Sequence, residues 1–264
     1  TDGLVLKIDN GDFLQGSPFS YYLAKNREKS SMAAVMNAVG YDCGVLGNHE
    51  FNYGLEYLEE TIATLNYPIV CANITKTNGE YLTGHPYHIF EKSGVKVAVL
   101  GLTTSYIPHW ENPETVKDLV FHSVIETAQK FVPQLREEAD IVVVSYHGGF
   151  ERDIETGEAT ETLTGENEGY ALLTEVPGID VLLTGHQHRV IAENNQRIPI
   201  TQPGDKGRYL GKVDIIFEKN QGILSQQAEL LSMENVQEDS TLNLEFSKIL
   251  NEVEEWLDQK QGAV

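Results

Sequence analysis

Short apolar runs rich in β-branched residues recur along the 264-residue chain, and segments with helical spacing separate them. The runs are Leu4–Ile8, Cys43–Leu46, Ile69–Ala72, Val95–Leu102, Ile141–Tyr146, Val181–Thr184 and Lys212–Phe217. Most show little alternation of apolar and polar residues, the pattern of strands covered on both faces. Helices are expected near 19–39, 54–65, 122–138 and 166–176, and strands that alternate with helices in this way predict a layered α/β fold. Residues 151–168 carry almost no apolar side chain and read as a solvated loop, of the length at which loops become lids. Beyond about residue 239 the spacing changes. Leu242, Phe246, Ile249, Val253 and Trp256 or Leu257 recur every three or four residues behind Ser240 as an N-cap, which predicts an amphipathic helix.

The ends of the strands carry the chemistry. Leu4–Ile8 runs into Asp9, Asn10, Gly11 and Asp12; Cys43–Leu46 runs into Gly47, Asn48, His49 and Glu50. Ile141–Tyr146 ends at His147-Gly148-Gly149, and Val181–Thr184 at Gly185, His186, Gln187 and His188. In open α/β sheets ligands bind in the crevice beyond the carboxyl ends of the strands, so four strands deliver carboxylate, amide and imidazole groups to one edge. Imidazole and carboxylate together suit Mn, Fe, Zn or Co, and a carboxylate can bridge two ions. Each single cluster has a plain alternative. A lone strand-end histidine is usually a satisfied core or surface residue, and Asp12 or Asn48 alone is an ordinary turn residue. It is the ordered set that argues for a metal site.

Forty acidic residues against 19 lysines and arginines give a formal charge of −21. Such a surface repels a polyphosphate backbone, which excludes a long nucleic acid as partner. A small phosphate ester stays admissible because bound cations reverse the local field. Cys43 and Cys71 are too few for a disulfide framework and read as small core residues. No run is long and apolar enough to predict a membrane-spanning helix.

The ordered motifs Gly11-Asp12, Gly47-Asn48-His49-Glu50, the strand-end His147 and Gly185-His186-Gln187-His188 resemble those of the calcineurin-like metallophosphoesterases over roughly residues 1–217. Asp12-Phe-Leu-Gln-Gly-Ser-Pro18, the segment Gly47–Gly54 and Ala72-Asn-Ile74 narrow the resemblance to the 5′-nucleotidase and 2′,3′-cyclic-nucleotide 2′-phosphodiesterase branch. Where its nucleotidases often carry an Asp that pairs with the catalytic histidine, Asn52 stands here, which is closer to the cyclic phosphodiesterase/3′-nucleotidase subgroup.

The resemblance implies a four-layer α-β-β-α sandwich of two mixed β-sheets flanked by helices. It also implies two divalent metal ions (Mn, Zn, Fe or Co) that activate water for in-line attack on a phosphoester of a small nucleotide. Asp12 is then expected to bridge both ions. Asn48, His147 and His186 complete one site, His188 belongs to the other, and His49 faces the phosphate with Asn52 beside it. Asn52 equally fits as an N-cap of the helix near 54–65. The family's Asp-x-His motif does not occur in the chain, so the second site has only Asp12 and His188. The expected organisation is a catalytic domain over 1–235, its first strand upstream, and a linker helix over 236–264 leading to a downstream nucleotide-binding domain in an exported parent chain. The rival substrate classes are 5′-nucleotides and nucleotide sugars. The rival of another kind is a surface binding module that has lost catalysis.

Other residues are expected at or away from the site by weaker signals. Gln15 and Ser17 stand near the Asp12 turn, although Ser17-Pro18 is also an ordinary helix start. His109-Trp110 reads as a packed loop rather than a cleft wall. His85, His88 and His122 belong to no motif, and Arg208 is expected in a surface salt bridge.

Overall fold

The computed structural model describes residues 3–26, 32–194 and 198–259. Two sheets face each other. The smaller has three parallel strands, β1 (Ile8–Asp9), β2 (Cys43–Val45) and β3 (Ile69–Val70). The larger is mixed and runs in the order β10 (Val190–Glu193), β11 (Ile200–Pro203), β9 (Val181–Thr184), β8 (Ile141–His147), β6 (Val95–Thr103) and β5 (Tyr87–Lys92). Its four central strands are parallel and its two edges antiparallel. A short ribbon pairs β4 (Ile74–Lys76) with β7 (Leu119–Phe121). The hairpin β12 (Tyr209–Glu218) and β13 (Gly222–Ser232) lies against β10 and β11.

Packing makes this a four-layer sandwich. Cys43, Val45 and Val70 of the small sheet meet Val97, Val99, Ile141, Val143 and Val181 of the large one, and the hairpin adds Val213, Ile215 and Phe217 to the same interior. On the far side of the large sheet lie α5 (Val124–Glu138) and α6 (Gly169–Glu175), which bury Ala128, Phe131, Leu135 and Leu172. On the far side of the small sheet, α2 (Met32–Val39) and α3 (Leu55–Thr64) bury Met36, Tyr57 and Leu58. Every residue of β8 is buried, as a continuous apolar run between helices and a second sheet requires. Cys43 and Cys71 are free and buried, as expected.

Several sequence expectations need correction. The segment 19–39 is two helices, α1 (Pro18–Lys25) and α2, with residues 27–31 between them outside the described residues. Leu4–Ile8 is a strand only at its end. Along it Leu4, Leu6 and Ile8 face the inter-sheet core while Val5 is exposed, an alternation the apolar letters alone do not reveal. The N-cap of α7 (Ser240–Leu257) is Asp239, not Ser240, because the Asp239 carboxylate accepts the backbone N–H groups of Thr241 and Leu242. Helix α7 packs on α1 through Tyr22, Leu23, Ile249 and Val253. A four-residue helix, α4 (Pro113–Val116), precedes β7. No helix among the described residues is long and apolar enough to cross a membrane.

Candidate metal centre

The strand ends of both sheets meet at one point. β1 leads into Asp12, the turn after β2 carries Asn48, β8 ends on His147, and the turn after β9 carries His186. Two glycines permit the approach. Gly11 has φ +89, and a Cβ there would lie 2.5 Å from the Gly47 nitrogen and 2.9 Å from His147 Nδ1. A Cβ on Gly47 would run into the Asp12 carboxylate. Asp12, His186 and His188 themselves adopt left-handed backbone conformations, with φ of 67, 65 and 56°. Non-glycine residues hold such angles at some energetic cost, and they concentrate at functional sites.

Hydrogen bonds fix which nitrogen of each ring is free. His147 Nδ1 donates to the Asn10 carbonyl at 2.6 Å, which leaves Nε2 with its lone pair when the ring is neutral. That nitrogen lies 3.1 Å from Asp12 Oδ2 and 3.2 Å from Asn48 Oδ1. His186 Nε2 donates to Glu166 at 3.0 Å, and its Nδ1 faces the same Asn48 oxygen at 2.9 Å. While both rings are neutral, two imidazole lone pairs, a carboxylate oxygen and an amide oxygen therefore converge with no hydrogen between them. Acceptors aimed at one another are unfavourable unless a cation or a proton neutralises them.

The titration of the cluster shows the same demand. Burial alone would raise Asp12, but the charge and hydrogen bond of His147 and the His49 amide outweigh it and hold its carboxyl at about 2. Burial opposes protonation of His147, yet Asp12 and the Asn10 carbonyl raise its pKa. His186 is lowered, by burial and then by the charge of His147. The donor set thus fits a divalent ion of the Mn, Zn, Fe or Co kind. Among the described residues no three His, Cys, Asp or Glu side chains alone form such a cage; the Asn48 amide oxygen, which two of the rings share, completes this one.

The surroundings hold the donors in place. Buried Glu50 accepts the backbone N–H groups of Asp12 at 2.8 Å and Leu14 at 3.1 Å, and also that of Gly47, tying the two turns together. The His49 amide donates to Asp12 Oδ1 at 2.8 Å. Ser145 and Asn10 are joined side chain to side chain at 2.7 Å. The carboxylate of Glu166 comes from the loop expected to be a solvated excursion. That loop is anchored instead: Thr104 donates to the Glu166 carbonyl at 2.7 Å, and the Gly149 amide to Asn167 at 2.7 Å.

The remaining expected residues are placed as follows. His49 stands on a short 3-10 turn, His49–Phe51, and its Nδ1 lies 2.6 Å from Asn52 Oδ1. The Asn52 amide donates on its other side to Glu111. Asn52 is therefore not the cap of α3, whose N-cap is Gly54. His188 is exposed and stands near Asp205, apart from the hydrogen-bonded cluster. Trp110 belongs to the site's rim rather than to a packed loop. Its ring lies 5.4 Å from that of His186 and it is 44% exposed. Ser17 caps α1 with Ser20 in a capping box. Arg208 pairs with Asp205, and His122 bonds Thr75, away from the site. Asn10, Glu50, Glu111 and Glu166 were not expected. Glu50 and Asn10 stand inside the quoted motifs, whereas Glu111 and Glu166 lie in loops that carry no local signal.

Known proteins resemble this chain in sequence and in fold. The family described as bacterial capsule synthesis protein PGA_cap matches residues 13–197, which hold Asn48, His147 and His186. A candidate 5′-nucleotidase from Staphylococcus aureus superposes with a TM-score of 0.88 at 46% identity, over 96% of this chain and 50% of that one. The calcineurin-like phosphoesterase YfkN from Bacillus subtilis gives a TM-score of 0.83 at 30% identity, over 96% of this chain and 85% of that one. A 2′,3′-cyclic-nucleotide 2′-phosphodiesterase/3′-nucleotidase of Salmonella typhimurium is 33% identical over 92% of this chain and 41% of its own length. The chain spans less than half the length of the first curated relatives it matches.

Proposed function

This chain belongs to the family described as PGA_cap and to the calcineurin-like phosphoesterases, in their 5′-nucleotidase and 2′,3′-cyclic-nucleotide phosphodiesterase branch, and on that premise we propose that it hydrolyses phosphoester bonds of small nucleotides, with 2′,3′-cyclic nucleotides and 3′-nucleotides as substrates. The observation that supports this most is the convergence of Asp12, Asn48, His147 and His186 acceptors beside His49, whose backbone amide donates to Asp12. Divalent ions bound there supply an activated water and offset charge on the phosphoryl oxygens.

The chain's own residues hold and orient the reactants. Asp12 and Asn48 present oxygen, and His147 and His186 present the nitrogens that Asn10 and Glu166 leave free. His49, with Nδ1 bound by Asn52, turns Nε2 to the substrate side, where the ring, once it carries a second proton on Nε2, donates to a phosphoryl or leaving oxygen. His188, with Asp12, contributes to a second ion. The 236–264 segment is the linker to a downstream nucleotide-binding domain, and the parent protein is exported.

The test is a panel of 2′,3′-cyclic AMP, 3′-AMP and 5′-AMP with the full-length protein, each with manganese, zinc or cobalt. Metal-dependent hydrolysis fastest on the cyclic and 3′-nucleotides is expected. Preference for 5′-AMP would favour the second reading, a 5′-nucleotidase, which the likeness to the Staphylococcus aureus protein supports. No hydrolysis of any substrate with any of the metals would leave the binding-module reading.

A further inference from the structure

We propose that Glu111 is a positioning residue that sets the ring tautomer of His49 through the side chain of Asn52. An ionised carboxylate can only accept hydrogen bonds. Glu111 therefore draws the NH₂ of Asn52 toward itself, and the amide presents Oδ1 to the imidazole on its other side, 2.6 Å from His49 Nδ1. That oxygen is also an acceptor, so the hydrogen of the neutral ring sits on Nδ1 and the lone pair on Nε2. An asparagine alone carries no such instruction. Turned by half a rotation it has the same shape, and its NH₂ would then face Nδ1 and demand the opposite tautomer. The choice is made by Glu111, which does not touch the ring.

The segment that carries Glu111 is itself held against the site. Ile107 is fully buried, and its carbonyl accepts the N–H groups of Trp110 at 3.0 Å and Glu111 at 3.1 Å. Trp110 rests beside the His186 ring. One short segment thus touches the cluster through Trp110 and His49 through Glu111 and Asn52. The carboxylate absent at position 52 is supplied one side chain further out, from 59 residues along the chain.

The inference rests on the assignment of His49 to the substrate side, but the ring proton can be observed without any activity. Nitrogen-15 histidine spectra of the full-length protein, metal-free and zinc-loaded, report which ring nitrogen carries hydrogen. Wild type should show His49 protonated at Nδ1. Glu111→Gln presents an amide that can face Asn52 with oxygen or with NH₂, so it should give a mixture of His49 tautomers. Glu111→Lys places a donor against Asn52, and should turn the amide and move the His49 hydrogen to Nε2. Turnover should then fall roughly 10²–10⁴-fold, because a ring whose Nδ1 must accept from an NH₂ cannot take up the second proton that makes it a general acid, with KM little changed. The Nδ1 signal of His147 serves as a folding control. If His49 keeps its Nδ1 hydrogen in a natively folded Glu111→Lys protein, the inference is overturned. If that variant loses the His147 signal, Glu111→Ala decides. A mixture of His49 tautomers supports the inference, and an unchanged single tautomer overturns it. An inverted tautomer with unchanged turnover would leave the inference standing and refute instead the substrate-side role of His49.

Discussion

The two sides of the candidate metal centre are built to different standards. On one side Asp12, His147 and His186 are each tied by a second bond, Asp12 to the His49 amide, His147 to the Asn10 carbonyl and His186 to Glu166, while Asn48 aims its amide oxygen at both rings. They stand at the ends of strands locked in the large sheet or braced by buried Glu50. On the other side His188 is exposed and set apart, and β1 has only two paired residues. Asp9, within the field of Glu50 and His147, has one carboxylate oxygen, Oδ2, buried without a hydrogen-bond partner among the described residues. The contrast teaches that ligand identity is not sufficient for a metal site. The groups that aim each donor decide whether it offers a lone pair or a hydrogen.

The sharpest break of this comparison is to remove a donor from each side. His147→Ala or His186→Ala should abolish tight binding of the first ion and take hydrolysis to background, measured by elemental analysis and turnover. His188→Ala should leave that ion bound. Equal metal loss in all three variants would erase the distinction between the sides. Next in size is His49→Ala. Its ring is outside the donor set, so metal content should stay near normal while turnover falls roughly 10²–10⁴-fold. Loss of metal would instead make His49 a ligand.

Glu166→Ala should weaken the first ion by about 10–100-fold, the usual cost of losing a carboxylate behind a ligating histidine. An equilibrium dialysis curve superposable on wild type would show that the His186 ring needs no brace.

The smallest effect concerns Asp9. Burial and then the charge of Glu50 raise its pKa to about 7. A carboxyl whose folded pKa lies above its unfolded value favours folding only while protonated. In the metal-free protein its contribution is therefore complete below about pH 4 and is lost as pH climbs to about 7. Asp9→Asn cannot ionise and should gain about 1–2 kcal/mol over wild type at pH 8, an amount discounted for partial solvent access, and nothing at pH 4. Urea unfolding at both values checks this, and a gain that does not depend on pH would show that Asp9 does not titrate in this range.

The four donors of the first site were legible in the sequence because each sits at the end of an apolar strand, a property written within a few residues. The strands that were missed are short, like Ile200–Pro203 inside the large sheet, or have mixed faces. Tyr87–Lys92 and Gly222–Ser232 lie at an edge or in a hairpin, where polar residues interrupt the apolar pattern. Glu166 and Glu111 were not legible. They reach His186 and Asn52 across 20 and 59 residues from irregular loops, and only the packing of Thr104 and Ile107 brings them there. The motif set Asn52 near His49, but its second partner, and hence what the amide does, depends on that long-range contact. The solvated look of 151–168 holds for 155–156, 158–160 and 162–164, which are exposed, but it hid the side chains of Glu161, Glu166 and Asn167, which bond inward.

The central claim is that Asp12, Asn48, His147 and His186 form one well-made ion site, and anomalous diffraction from manganese-soaked crystals tests it most directly. The predicted result is a dominant peak at about 2.0–2.3 Å from an oxygen of Asp12, Oδ1 of Asn48, Nε2 of His147 and Nδ1 of His186, the coordination range for such ligands. A dominant peak beside His188 and Asp205, or no peak at the four donors, would contradict it.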